Sequence, residues 1–203
     1  MEKRKKILLT VLHTVLLGST MTCMAADPPV PFGWYLEGNL GKSTLSNANY
    51  VTGGSLSNDG FGLNLNAGYK FMPYFAAEVG YTQYGKAVSK VNGTEVAKNN
   101  YYSYDVAAKG ILAIGDTNAN FFAKVGVARL NSKVSITNQS FVTANNVTVN
   151  TGKNRTTGYY FGLGADYSFL SNYNVNAQWQ KAKGNNNTGN FELYSVGVSY
   201  IFG

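Results

Sequence analysis

The chain is poor in the groups that carry covalent and metal chemistry. Its 203 residues include one cysteine, Cys23, and one histidine, His13. Both fall within the first 26 residues, which read as a cleavable signal peptide. "MEKRKK" is a basic start, "ILLTVLHTVLLGST" an apolar core, and "CMAAD" offers small residues for a cut after Ala25 or Ala26. An uncleaved anchor fits less well, because the apolar run is short of the ~20 residues that a spanning helix needs. Lipidation at Cys23 fits less well too, since Thr20, Met21 and Thr22 stand where a lipoprotein signal has Leu and small residues. With residues 1–26 removed, the remaining domain, 27–203, has no disulfide, no thiol and no imidazole. It also lacks His and Cys as metal ligands, and it contains no P-loop and no GxGxxG, so no metal and no cofactor is expected. Removing Lys3, Arg4, Lys5 and Lys6 against Glu2 lowers the formal net charge from +7 to +4.

A second long apolar run is absent as well. In its place are short segments that alternate with period two, separated by Asn, Gly, Ser and Thr. In "GFGLNLNAGYKF", Phe61, Leu63, Leu65, Ala67, Tyr69 and Phe71 share one face, and Gly62, Asn64, Asn66, Gly68 and Lys70 the other. "YYFGLGADYSF" repeats the pattern. Eight such segments lie near 34–43, 60–71, 74–85, 101–112, 120–131, 157–169, 172–182 and 191–202. Short connections ("MP", "AIGDTNA", "LS") alternate with longer Asn-rich ones at 44–59, 86–100, 132–156 and 183–190. That rhythm is an up-and-down antiparallel meander, and an even number of strands lets it close and abolish its edges.

A soluble ligand-binding barrel such as a lipocalin would bury its large apolar face; a membrane barrel inverts this. Here the larger residues share one face, and the other carries Gly, Ser, Asn and isolated charges. Segment lengths match the ~9–11 residues of a tilted spanning strand. Tyrosines with Trp34 and Trp179 cluster toward segment ends, as an aromatic girdle does. Lipid offers no partner to a bare N–H, so only helices and closed barrels cross it. The expected fold is all-β: an eight-stranded antiparallel up-and-down transmembrane β-barrel.

Several segments resemble one family. "GLNLNAGYKFMPYFAAEVGYTQYG" is similar to the second and third strands of the outer membrane protein A transmembrane domain, "FGLGADYSF" to its sixth and "YSVGVSYIFG" to its eighth. "GWYLEGNLGKS" and "DVAAKGIL" fit its first and fourth strands. Opacity-type and small surface-antigen barrels belong to the same group. The resemblance implies a bacterial outer-membrane location. Full-length outer membrane protein A adds a peptidoglycan-binding domain; this chain is expected to consist, once processed, of the barrel alone.

Six charges fall on the small, polar face: Glu37, Glu78, Asp105, Lys109, Lys124 and Asp166. Charge facing lipid at mid-depth is costly, so these are expected to point inward as an ion-pair network. The resemblance implies a Lys109–Asp166 pair. It leaves Glu78 without its usual partner, because Asn176 stands at the basic position, and Lys124 or Lys109 is available in its place. The network reads as a structural plug, with an ion path as the alternative. Outer-membrane barrel enzymes use a histidine base; with none in 27–203, no enzyme is expected, and a His-independent lipid-modifying activity is the remote alternative.

Positive charge concentrates outside, on the long-connection end: Lys86, Lys90, Lys98, Lys133, Lys153, Arg155 and Lys183, with Lys42, Arg129 and Lys181 at the rim. Lipopolysaccharide explains such residues, as does an anionic host-surface ligand such as a glycosaminoglycan. Nucleic acid is not an expected partner. Val134, Ile136, Val147 and Val149 alternate as if the third long connection extended the barrel. In the last strand, Tyr194, Val196, Val198, Tyr200 and Phe202 form an aromatic-ended apolar face. That face resembles the signal read by outer-membrane assembly machinery. The expected function is therefore a monomeric outer-membrane barrel with a structural and surface-antigen role and basic loops for adhesion. A small diffusion pore is the alternative.

Overall fold

The computed structural model describes residues 32–46, 55–57, 59–91, 93–144, 152–185 and 188–202. The expected signal peptide, and Val147 and Val149, lie outside the described residues. The order is β1 Gly33–Ser46, β2 Ser55–Ser57, β3 Asp59–Met72, β4 Phe75–Gln83, β5 Ala87–Val91, β6 Thr94–Ala113, β7 Ala119–Ile136, a short helix α1 Gln139–Ala144, β8 Gly152–Leu170, β9 Tyr173–Ala182 and β10 Asn190–Phe202.

Every pairing is antiparallel, and the sheet is ring-like. It runs β1–β3–β4–β6–β7–β8–β9–β10 and returns to β1. The closing pair is in register from Trp34↔Phe202 to Ser46↔Asn190. Each period-two segment of the sequence overlaps one strand of this circuit. Where all eight strands pair around the ring no edge is left bare, which is the condition for placing a sheet in lipid; above that level β8 pairs with β7 alone among the described residues. Tight turns join β3 to β4, β6 to β7 and β8 to β9. In the β6–β7 turn Gly115 takes φ +54°, a left-handed value suited to glycine, and Thr117 Oγ1 donates to Ile114 O at 2.6 Å.

The ring is unequal in height. β6, β7 and β8 have 20, 18 and 19 residues, whereas β4 and β9 have 9 and 10. Some 9–11 residues span a membrane, so one side of the wall rises well beyond it. The 86–100 stretch, expected as a loop, is thus largely strand, and 132–156 extends β7 to Ile136 and begins β8 at Gly152, as its alternation around Val134 and Ile136 led one to expect. β5 pairs with the top of β6, β2 pairs with β5, and β7 pairs with β8 up to Val134↔Gly152. The reason is that the alternation continues above the membrane with a different content. Ala97, Tyr101, Leu130 and Val134 are buried, while Lys98, Lys133 and Lys153 face water.

Inside and outside are sorted as in a membrane barrel. Leu36, Leu40, Leu65, Val79, Val106, Val125, Leu163, Val196 and Val198 are exposed, and Asn39, Asn64, Asn66, Thr82, Ser103, Gln178 and Gln180 are buried. This inverts the arrangement of a soluble domain. Along its axis the lumen is layered. Tyr35, Ala76 and Ile201 form a small apolar cluster near the short-turn end. The charges follow, and then a layer of amides and hydroxyls. A larger apolar cluster around Tyr84, Tyr101, Leu130, Tyr160, Phe191 and Leu193 caps the other end.

Candidate functional site

Four of the six inward charges meet. β1 supplies Glu37, β4 Glu78, β6 Lys109 and β7 Lys124. Lys109 Nζ lies 3.5 Å from Glu37 Oε2 and 3.4 Å from Glu78 Oε1. Lys124 Nζ lies 3.2 Å from Glu37 Oε1 and 2.9 Å from Glu78 Oε2. Each lysine therefore bridges both glutamates, and Glu78 uses both candidate partners rather than one. The two lysines are directly opposed in register on β6 and β7, and only the shared carboxylates make that tolerable. All four side chains are almost wholly buried.

The remaining valences are filled by neutral groups. Tyr35 Oη donates to Glu78 Oε1 at 2.5 Å, and Asn39 and Asn66 donate to Glu37 Oε1 at 2.9 and 2.8 Å. Lys109 Nζ also sits 4.3 Å from the Phe122 ring centre, a cation–π contact. The polar chain continues across the lumen. Asn39 Nδ2 donates to Asn64 Oδ1 at 2.8 Å, Asn64 Nδ2 to Thr82 Oγ1 at 3.0 Å, Gln180 Nε2 to Thr82 Oγ1 at 3.0 Å and Tyr160 Oη to Gln180 Oε1 at 3.2 Å.

Asp166 and Asp105 stand apart. Lys109–Asp166 is not an ion pair among the described residues: Asp166 instead accepts from Asn120 Nδ2 at 2.7 Å. The two residues share only the lining of a cavity of about 30 Å³ near the short turns. The physical reason is that Lys109 is already engaged by Glu37 and by Glu78, the latter on the strand paired with its own. Asp105 is buried, has no ion pair among the described residues, and its Oδ2 lacks a hydrogen-bond partner. Tyr35, Asn39, Asn66 and Lys70 were not among the expected site residues. Parity was the available signal, because all four alternate in phase with inward positions. Lys70 is buried and lines the same small cavity.

Glycine makes room for this packing at two places. A Cβ on Gly68 would strike the Tyr35 ring, and one on Gly80 would lie 2.5 Å from Asp105 Oδ1. Above the polar layers the lumen closes on aromatics. Tyr84 stacks on Phe191 with ring centres 4.6 Å apart, and Tyr101 packs on the same ring at 5.1 Å.

The basic residues divide into paired and unpaired. Lys42 binds Asp59 at 2.6 Å, Lys98 binds Glu95 at 3.0 Å and Lys181 binds Glu192 at 2.6 Å. Lys98 holds the Glu95 carboxyl below the usual carboxylate range, chiefly by hydrogen bonding. Lys86, Lys90, Arg129, Lys133, Lys153, Arg155 and Lys183 are exposed, and no ion pair involves them among the described residues. Lys133 and Lys153 face each other directly on β7 and β8. On β10, Tyr194, Val196, Val198 and Phe202 face outward, with Tyr200 half-buried.

A family model for the outer membrane protein beta-barrel domain matches residues 13–202. No curated protein matches the chain in sequence. Among solved structures, the chain is similar to the attachment invasion locus protein Ail of Yersinia pestis, crystallised with the heparin analogue sucrose octasulfate. That match has a TM-score of 0.56 and 15% identity, covering 84% of this chain and 99% of that one. Neisserial surface protein A gives a TM-score of 0.58 at 15% identity, over 84% of this chain and 97% of that one. OprG from Pseudomonas aeruginosa gives 0.57 at 13%, over 87% and 99%. At these identities the likeness concerns the fold. The sequence match and the inverted, ring-like wall agree: the chain belongs to the outer membrane protein beta-barrel family of the bacterial outer membrane.

Proposed function

We propose that the protein is a monomeric, eight-stranded transmembrane barrel with a closed lumen, and that its function is exercised on its outer surface. It is exported by the N-terminal segment, assembled through the outward face of β10, and stabilises the envelope while presenting a basic face to anionic ligands at the cell surface. One contrast carries this reading. Inside, Lys109 and Lys124 each meet two carboxylates beneath an aromatic cap. Outside, seven cations stand without an acidic partner among the described residues, several of them on a wall that rises above the membrane. Unpaired, exposed cations attract anions at long range and hold them by salt-sensitive contacts.

The sulfated ligand bound by Ail, a protein of the same fold, supports sulfated glycans as the class to test. The diffusion-pore alternative is disfavoured by the cap and by the pairing of both Lys109 and Lys124 with carboxylates. The experiment compares cells bearing the native protein with cells bearing Lys133→Gln/Lys153→Gln/Arg155→Gln on a heparin-coated surface. Attachment is expected to fall at least fivefold in the variant, and to vanish for the native protein in 0.5 M salt. Equal attachment by both would remove the adhesive role.

A further inference from the structure

Among the described residues, Asp105 is the lumen carboxylate that no lysine reaches. Glu37 and Glu78 share Lys109 and Lys124, and Asp166 lines a small cavity together with Lys70. Neither bridging lysine extends an ion pair to Asp105, although Asp105 is buried and its Oδ2 has no hydrogen-bond partner. Three inward lysines thus face four inward carboxylates, which leaves the described lumen with one negative charge. A buried charge is costly unless something of opposite sign meets it.

The groups around Asp105 are themselves acceptors. It lies directly opposite Gly80 on β4, and Asn66 on β3 flanks Gly80 from the other side. With no side chain on Gly80 to hold them apart, both neighbours lean over it. The point where a Gly80 Cβ would stand lies 2.5 and 2.7 Å from the two Asp105 oxygens and 2.7 Å from Asn66 Oδ1. Three oxygens therefore converge above one glycine. The Asn66 amide is fixed in this sense. Its Nδ2 donates to Glu37 Oε1 at 2.8 Å and to Asn64 Oδ1 at 2.9 Å, and its Oδ1 accepts from Asn64 Nδ2 at 3.0 Å. Turning the amide over would offer Asp105 a donor but would set an oxygen against Glu37.

We infer that these three oxygens bind one monovalent alkali cation, such as sodium, in the lumen above Gly80. Asp105 supplies both carboxylate oxygens, Asn66 the amide oxygen, and the ion cancels the uncompensated charge. Hard cations take oxygen ligands and need neither His nor Cys. One carboxylate and a single excess charge match a monovalent ion. Calcium takes about 6–8 oxygens, and magnesium demands a near-ideal octahedron that keeps several waters. A water molecule would offer hydrogens to the acceptors but leave the charge in place. Because the oxygens come from β3 and β6 across a glycine of β4, the ion also ties three neighbouring strands in register. The site is separate from the outer cations proposed to hold glycans, and neither depends on the other.

The test refolds the full chain into phosphatidylcholine vesicles in sodium chloride or in N-methylglucamine chloride of equal ionic strength, and follows unfolding in urea. At a sodium concentration ~10 times the dissociation constant the unfolding equilibrium shifts about tenfold, and the shift saturates. Asp105→Asn keeps the shape of the side chain without its charge, and is expected to unfold at one midpoint in both salts. Gly80→Ala, whose methyl fills the cradle, is also expected to lose the sodium dependence, whereas Asp166→Asn keeps it. A second readout needs no variant. Crystals of the native protein soaked in thallium(I) acetate, a heavy monovalent mimic, are expected to show an anomalous peak between Asp105 and Asn66. Equal sodium dependence in the native chain and Asp105→Asn would overturn the site, as would the lack of a thallium peak above Gly80. A native chain indifferent to sodium would do the same. If that chain also showed a protonated-carboxyl infrared band missing from Asp105→Asn, a proton would hold the place assigned to the metal ion.

Discussion

Lys124 bears on both lumen glutamates at once, from a position with no exposed side-chain surface. Removing it leaves two buried carboxylates to share Lys109, with one negative charge uncompensated. Lys124→Met is therefore expected to cost roughly 3–5 kcal/mol. Asp166→Asn breaks no ion pair and should cost about 1 kcal/mol or less. Urea unfolding in lipid vesicles, followed by the fluorescence of Trp34 and Trp179, measures both; a larger loss for Asp166→Asn would reverse the assignment. At Tyr35 the expectation is graded. Tyr35→Phe loses a hydrogen bond to a charged acceptor, about 1.5–3 kcal/mol. Gly68→Ala displaces the ring itself and should lose at least as much, whereas an unchanged midpoint would show that the ring is not held there. The six inward charges were legible in the sequence because alternation alone fixes which side a residue faces. Which of them meet was not, because pairing depends on the stagger between strands far apart in the chain. Lys109 took Glu37 and Glu78 in place of Asp166 for that reason.

Strands are where the sequence was read most closely and also where it misled. Spanning segments announce themselves by large and small residues in strict alternation, and each overlaps a strand of the ring. The upper parts of β6, β7 and β8 are rich in Asn, Ser, Thr and Lys, whose composition resembles that of loops, and β2 and β5 have only three and five residues. Their inward apolar residues are too few to mark a strand except beside each other in the fold. Among them the Glu95–Lys98 pair offers a local probe. The Glu95 carboxyl titrates below its ordinary value in the folded hairpin, so the opened hairpin takes up a proton first. The contribution is present in full above about pH 4.3 and is lost as pH falls through the lowered value. Amide-exchange protection of Ala87–Val91 should hold level from pH 8 to 5 and decline only below about 4, and Lys98→Gln should flatten that decline. Loss of protection near pH 7 in the native chain would point to another group.

At the scale of the whole molecule, a wall turned inside out relative to a soluble protein surrounds a lumen that, among the described residues, is filled by the lysine–glutamate cluster and an aromatic cap. Planar-bilayer recording of the native protein should give no discrete open events, and Tyr101→Ala/Phe191→Ala should introduce them by thinning the aromatic cap; steady channels in the native protein would mean that the cap opens. The central claim is that alternate residues of each ring strand face lipid and lumen. Cys23 is the chain's one cysteine, so a Cys23→Ser background carries a single label wherever one is introduced. The most direct measurement places a spin label at each position from 194 to 200 on β10 and reads its accessibility to oxygen and to a water-soluble nickel chelate. Labels at 196 and 198 should be high for oxygen and low for nickel, labels at 195 and 199 low for oxygen, with period two maintained throughout. A uniform profile, or oxygen maxima at 195 and 199, would contradict it.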